Sequence, residues 1–201
     1  MLYDKDSSKR CSRIVLTGGP GGGKTTAADL FRREIGERVV VVPETATMLF
    51  AGGFPRVDNL HARQAAQQAI FHVQRNLEDI QFANYPGRIL LCDRGTVDGA
   101  AYWTDGPDEF FLKVGSSLEV ELKRYDAVLF FESAAVGGLE IEGGNPQRIE
   151  DIEDAKALDL RLRKLWSAHP NYFFIPHNSS FFQKITFAFA ALENFIGQLG
   201  G

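Results

Sequence analysis

The chain has 201 residues, of which 44% are hydrophobic and 24% charged, enough for one domain with a sizeable core. Its net charge of -4 argues against a nucleic-acid polymer as partner, since such binders carry a basic surface. Two cysteines, Cys11 and Cys92, make no disulfide framework; no apolar run reaches the roughly 20 residues that span a bilayer, and the polar start lacks the apolar core of a signal peptide. A cytoplasmic protein without a transmembrane segment is expected.

Residues 1–12 are charged and Ser-containing and are expected to form a flexible leader, leaving 13–201 as a single domain. A first strand is predicted over 13–17 and a first helix over 24–35. Between them lies Gly18-Gly19-Pro20-Gly21-Gly22-Gly23-Lys24-Thr25-Thr26, which fills G-x-x-x-x-G-K-[ST] at every fixed position, with the strand before it and the helix after it that the motif requires. Glycines let the backbone approach a ligand closely and turn successive N–H groups toward phosphate oxygens. The helix that follows adds its own unsatisfied N–H groups and the positive end of its dipole. Lys24 is expected to reach the β and γ phosphates and the Thr25 hydroxyl to ligate Mg²⁺.

Val39 to Val42 is a continuous β-branched run, as in a strand buried on both faces of a parallel sheet. Pro43 stops it and Glu44 stands at its carboxyl end. After the turn at Gly52-Gly53 a long helix is predicted over 58–82, with Ile70, Val73, Leu77 and Ile80 at helical spacing. The third strand, 89–92, delivers Asp93 and Arg94 at its tip. Short helices are expected near 98–103 and 117–124, and a fourth strand over 127–131. Residues 133–147 are rich in Gly and small residues and read as a functional loop, with a lid segment at about 133–149. A charged helix over 149–168, a fifth strand over 172–175 and a closing helix over 181–199 complete the chain. On the closing helix Phe182, Ile185, Phe189, Leu192 and Ile196 lie along one side, as for a helix docked on the core.

Strands alternating with helices give an α/β fold: a five-stranded parallel sheet in a three-layer αβα sandwich, with ligands beyond the carboxyl ends of the strands. Those tips carry the candidate chemistry. An apolar strand ending in Asp93 has the form in which a carboxylate holds Mg²⁺ directly or through water. Glu44 is placed to take a proton from a substrate hydroxyl, or to cap the short helix that opens at Thr45. Arg94 and Arg148 are candidate clamps for charge on a transferring phosphoryl group, Arg148 standing where the Gly-rich segment meets the charged helix. The alternative for Arg148 is an ion pair with Glu150 or Asp151. Arg161, Arg163 and Lys164 read as a solvated face. His61, His72, His169 and His177 show no metal-ligand spacing, with His177 a candidate neighbour of the nucleotide base.

I-V-L-T-G-G-P-G-G-G-K-T-T, then V-V-V-P-E-T-A-T with a following Gly-Gly, then D-R-G, resembles the P-loop domain shared by bacterial ribosylnicotinamide kinases and the TRPL translocation defect protein, over about 13–195. That group is filed among AAA-type ATPases, with a sheet similar to that of nucleoside and nucleotide kinases. The resemblance implies a P-loop NTPase in which Lys24 and Thr25 serve the phosphates and Mg²⁺. It also implies that Asp93-Arg94 matches the acidic-Arg pair after the third strand and that Glu44 contacts the acceptor hydroxyl. Arg148 corresponds to a lid arginine only loosely, since the segment lacks the paired arginines of many such kinases.

The expected function is a Mg-ATP-dependent phosphotransferase, with GTP as an alternative donor, acting on a nucleoside, nucleotide or similar small hydroxyl-bearing acceptor. The competing reading is a regulatory ATPase or GTPase switch without a small acceptor, and a third is a lipid- or protein-binding module that uses nucleotide for stability. There is no N-K-x-D guanine-reading motif, and Asp93 is not followed by Glu as in an oligomeric AAA motor. A homodimer is compatible with all three readings.

Overall fold

The computed structural model describes residues 12–56, 59–137 and 152–199. The predicted leader up to residue 11, most of the predicted lid and Arg148 lie outside the described residues.

Five strands, β1 (Ser12–Thr17), β2 (Val39–Val42), β3 (Ile89–Asp93), β4 (Ala127–Phe131) and β5 (Tyr172–Ile175), form one all-parallel sheet in the order β2-β3-β1-β4-β5. β2 and β4 are wholly apolar and the middles of the other strands nearly so, because both faces are covered. Alternate residues go to opposite layers. Ile14, Leu16, Leu91 and Leu129 pack with Phe31 of α1 (Lys24–Ile35) and with Ala188 and Leu192 of α8 (Phe181–Leu199). Val15, Leu90, Cys92, Val128 and Phe130 face the other layer. That layer comprises α3 (Leu60–Asn84), α4 (Asp98–Ala101), α5 (Pro107–Lys113), α6 (Leu118–Leu122) and α7 (Ile152–Trp166). The short α2 (Thr45–Ala51) follows directly on β2, where Pro43 and Glu44 end the strand.

This is the three-layer αβα sandwich with a five-stranded parallel sheet that the alternation of apolar runs predicts. Three details differ. Ser12 belongs to β1 rather than to the leader. Helix α5 occupies a stretch to which the sequence reading assigns no element, although Pro at its first turn, Asp108 and Glu109 beside it and Lys113 in the last turn are proper helix-end signals. Ile80, in the set at helical spacing on the long helix, and Phe182, on the side of the closing helix read as docked, are 54% and 79% exposed. Near the end of α3 the Arg13 guanidinium covers the Phe82 ring from 4.6 Å.

β1 is central and parallel to both β3 and β4, with Leu16 opposite Asp93 and Thr17 opposite Phe130. The loop after β1 therefore opens beside the tip of β3, with the tip of β2 one strand further out.

Candidate functional site

The loop after β1 turns through Gly18, Gly21 and Gly23, at φ 128°, 67° and 88°, where side chains are strained. A Cβ on Gly18 would lie 2.0 Å from the Phe131 carbonyl oxygen, so the loop is pressed against the end of β4. Helix α1 begins at Lys24, so its free N–H groups face the loop. Lys24 is buried, and its Nζ donates to the Gly19 carbonyl at 2.7 Å.

At the tip of β3, Asp93 is 2% exposed, and its Oδ2 accepts from Thr25 Oγ1 at 2.6 Å. Its Oδ1 is buried without a hydrogen-bond partner among the described residues. Burial raises the Asp93 pKa and the Glu44 charge adds to this, against the Thr25 bond, Lys24 and Arg94. A hydroxyl and a carboxylate with an unused oxygen, next to a phosphate cradle, suit a hard cation that takes its remaining ligands from phosphate and water. Among the described residues no cluster of three or more His, Cys, Asp or Glu offers an all-protein metal cage.

Arg94 is the non-glycine residue with positive φ among those described, at 70°. That conformation costs of order 1–3 kcal/mol and persists only where the surroundings enforce it. Here they do. Its N–H donates to the Leu16 carbonyl, its Nε to Glu44 Oε1 at 2.6 Å, and its Nη1 to Asp98 Oδ2 at 3.1 Å and to the Gly18 carbonyl at 3.4 Å. Burial opposes its charge, but Tyr102, Glu44, Asp98 and Asp93 outweigh that and keep it protonated well above its ordinary range. Asp98 is itself fixed by the Thr17 hydroxyl and the Trp166 indole N–H. Glu44 stands at the N-cap of α2 but makes no side-chain cap. Its carboxylate instead accepts from Arg94 and, through Oε2, from Thr47.

Glu44, Thr45, Phe50, Arg56, Gln67, Gln74, Arg94 and Tyr102 are among the residues lining a cleft of about 180 Å³ between α2, α3 and the segment that follows β3. Gln74 is saturated on its nitrogen, donating to Glu78 and to the Arg94 carbonyl, while its oxygen accepts from Thr45. Phosphate loop, Asp93, Arg94 and Glu44 thus form one continuous constellation, with Arg94 in contact with both the loop and the cleft wall.

His61 and His72 are exposed. His169 is buried and bonded to the Tyr125 carbonyl. The ring of His177 lies against Gly137, and the His177 backbone N–H donates to Glu132 Oε2. Arg161, Arg163 and Lys164 are exposed as read, with Arg163 over the Phe174 ring. Asp98, Gln74 and Asp159 escape sequence reading, because nothing local distinguishes an acidic or amide residue on an ordinary helix.

No curated protein matches this chain. Among solved structures it is similar to the deoxyadenosine kinase from M. mycoides with bound dATP, at 13% identity and a TM-score of 0.65, covering 90% of this chain and 99% of that one. That likeness concerns the fold: a P-loop kinase-like sandwich. No described helix is long and apolar enough to cross a membrane. The model of the AAA domain family matches residues 13–184, most of the chain, and the chain is therefore a member of that family, with a P-loop kinase- or ATPase-like domain.

Proposed function

We propose that the chain is a Mg-ATP-dependent phosphotransferase whose acceptor is a nucleoside, nucleotide or similar small molecule bearing a hydroxyl group. The observation that carries this reading is the cleft beside the phosphate loop, walled by Glu44 and Arg94. A hydrolase needs only water; a cleft of this kind provides room for a second substrate.

In this reading the backbone amides of 18–26 and the Lys24 ammonium hold the triphosphate tail. Thr25 and Asp93 would hold Mg²⁺, which supplies neutralising charge on the β and γ oxygens. The acceptor oxygen attacks the γ phosphorus, the bond from phosphorus to the β–γ bridging oxygen breaks, and ADP leaves. Glu44, whose carboxylate lines the cleft and is oriented by Arg94 and Thr47, takes the hydroxyl proton. Arg94 stabilises charge on the transferring group, and Arg148 is proposed to add to it. Buried cations that cost no reorganisation at the moment of transfer are the largest lever such a site has.

Membership of the AAA domain family favours a second reading, a regulatory ATPase or GTPase without an acceptor. Incubation with Mg-ATP or Mg-GTP and a panel of nucleosides, nucleotides and ribosylnicotinamide, analysed by mass, separates the two. A phosphorylated small molecule is expected; nucleoside diphosphate release with no such product selects the switch.

A further inference from the structure

We propose that Asp159, on the far side of the phosphate loop from the cleft, is a positioning residue that sets the direction of the loop's peptide groups and thereby the affinity for a triphosphate. The proposal rests on the loop being the nucleotide site, but not on transfer to an acceptor.

Asp159 Oδ1 accepts two backbone N–H groups at once, from Gly19 at 2.8 Å and from Ser133 at 2.9 Å. The residue is 2% exposed. It lies on α7 between Leu158 and Leu162, and with Ala155 these hold the helix against the core. The carboxylate is therefore delivered by a rigid element. Gly19 is fitted to it, because a Cβ there would stand 2.6 Å from Asp159 Oδ1 and 3.0 Å from the Ser133 Cβ.

A loop with five glycines among six consecutive residues has little conformational preference of its own, so its peptide planes take their direction from outside anchors. Those anchors are visible: Arg94 donates to the Gly18 carbonyl, Ser133 Oγ to the Pro20 carbonyl, and Lys24 to the Gly19 carbonyl. Asp159 anchors an N–H group of the same run. With that N–H turned onto the carboxylate and the Gly18 carbonyl of the same peptide turned onto Arg94, the plane between Gly18 and Gly19 is held from both sides. Loss of the acceptor frees the plane between Gly18 and Gly19 and strands two buried N–H groups.

The test uses the full chain titrated with a fluorescent ATP analogue and Mg²⁺, well below the melting temperature of every variant. Asp159→Ala is expected to weaken binding roughly tenfold, the effect of losing a charge-assisted anchor. Asp159→Asn, which keeps an oxygen at the same reach, is expected to recover affinity to within about threefold of the native chain. Should Asp159→Ala not fold, Asp159→Ser stands in, its hydroxyl being too short to serve both N–H groups. Equal affinity in the native chain and Asp159→Ala overturns the proposal, as does equal loss in Ala and Asn, which would make charge rather than the paired N–H bonds the cause. Absence of binding by the native chain overturns the reading of the loop itself, a separate result.

Discussion

Thr25 Oγ1 donates to Asp93 Oδ2 at 2.6 Å, joining the first turn of α1 to the tip of β3, while Asp93 Oδ1 is buried without a hydrogen-bond partner among the described residues. An oxygen in that condition costs free energy unless something occupies it. Asp93→Asn replaces one oxygen by an amide nitrogen that cannot ligate a cation. Transfer or hydrolysis should fall roughly 10²-fold or more, with the Mg²⁺ midpoint moved upward. A magnesium titration with an unchanged midpoint would remove Asp93 from the site.

Glu44 and Arg94 should separate by kinetic signature. Glu44→Gln keeps the bond from Arg94 Nε but not the basicity, so transfer should drop by ~10² to 10⁴ while ATP affinity holds within a few-fold. Arg94→Lys loses the forked contact to Glu44, Asp98 and the Gly18 carbonyl and keeps the strained backbone. It should therefore lower kcat and weaken ATP binding together. Equal losses in affinity and turnover for Glu44→Gln would favour a purely structural role for that carboxylate.

Gly18→Ala tests the loop as a piece of backbone. At φ 128°, with its Cβ directed 2.0 Å from the Phe131 carbonyl oxygen, alanine requires either the loop or the end of β4 to move. A loss of roughly 2 kcal/mol or more in urea unfolding is expected. Wild-type stability in this variant would mean that the loop is not packed on β4 as described.

What the sequence reveals and what it hides follow one physical division. Val39 to Val42, Ile89 to Cys92 and Ala127 to Phe131 are legible because a doubly covered strand must be apolar throughout. Lys24 and Thr25 stand out as candidates because they occupy a motif of fixed spacing, and Asp93 because it ends an apolar strand. The Glu44–Arg94 ion pair spans 50 residues, and the Asp159–Gly19 bond spans 140. Neither leaves a periodic trace. The inward assignment of Phe182 fails because helical periodicity gives a face but not where along the helix the core ends.

Lys184 gives a dependence on pH. Burial holds its ammonium pKa down to about 8, outweighing the opposite pull of Glu132 and Asp159, against an ordinary 10.5. The folded chain thus releases this proton before the unfolded chain does, and between those two values the unfolded state binds more protons. Stability from this group rises with pH across that window and is lowest below it. Relative to Lys184→Met, the native chain should gain about 2 kcal/mol between pH 7 and pH 10 in denaturant titrations. Parallel pH curves for the two proteins would show that Lys184 titrates alike in both states.

The central claim is that the amides of 18–26, with Lys24, grip a triphosphate tail beside Thr25 and Asp93. Calorimetric titration of the folded chain with Mg-ATP and Mg-GTP tests it most directly, with Lys24→Ala as the comparison. Saturable heat from one site per chain with at least one of the two nucleotides, lost or weakened more than about tenfold in Lys24→Ala at unchanged melting temperature, is the predicted result. No heat with either nucleotide, or the same affinity in both proteins, would contradict the account.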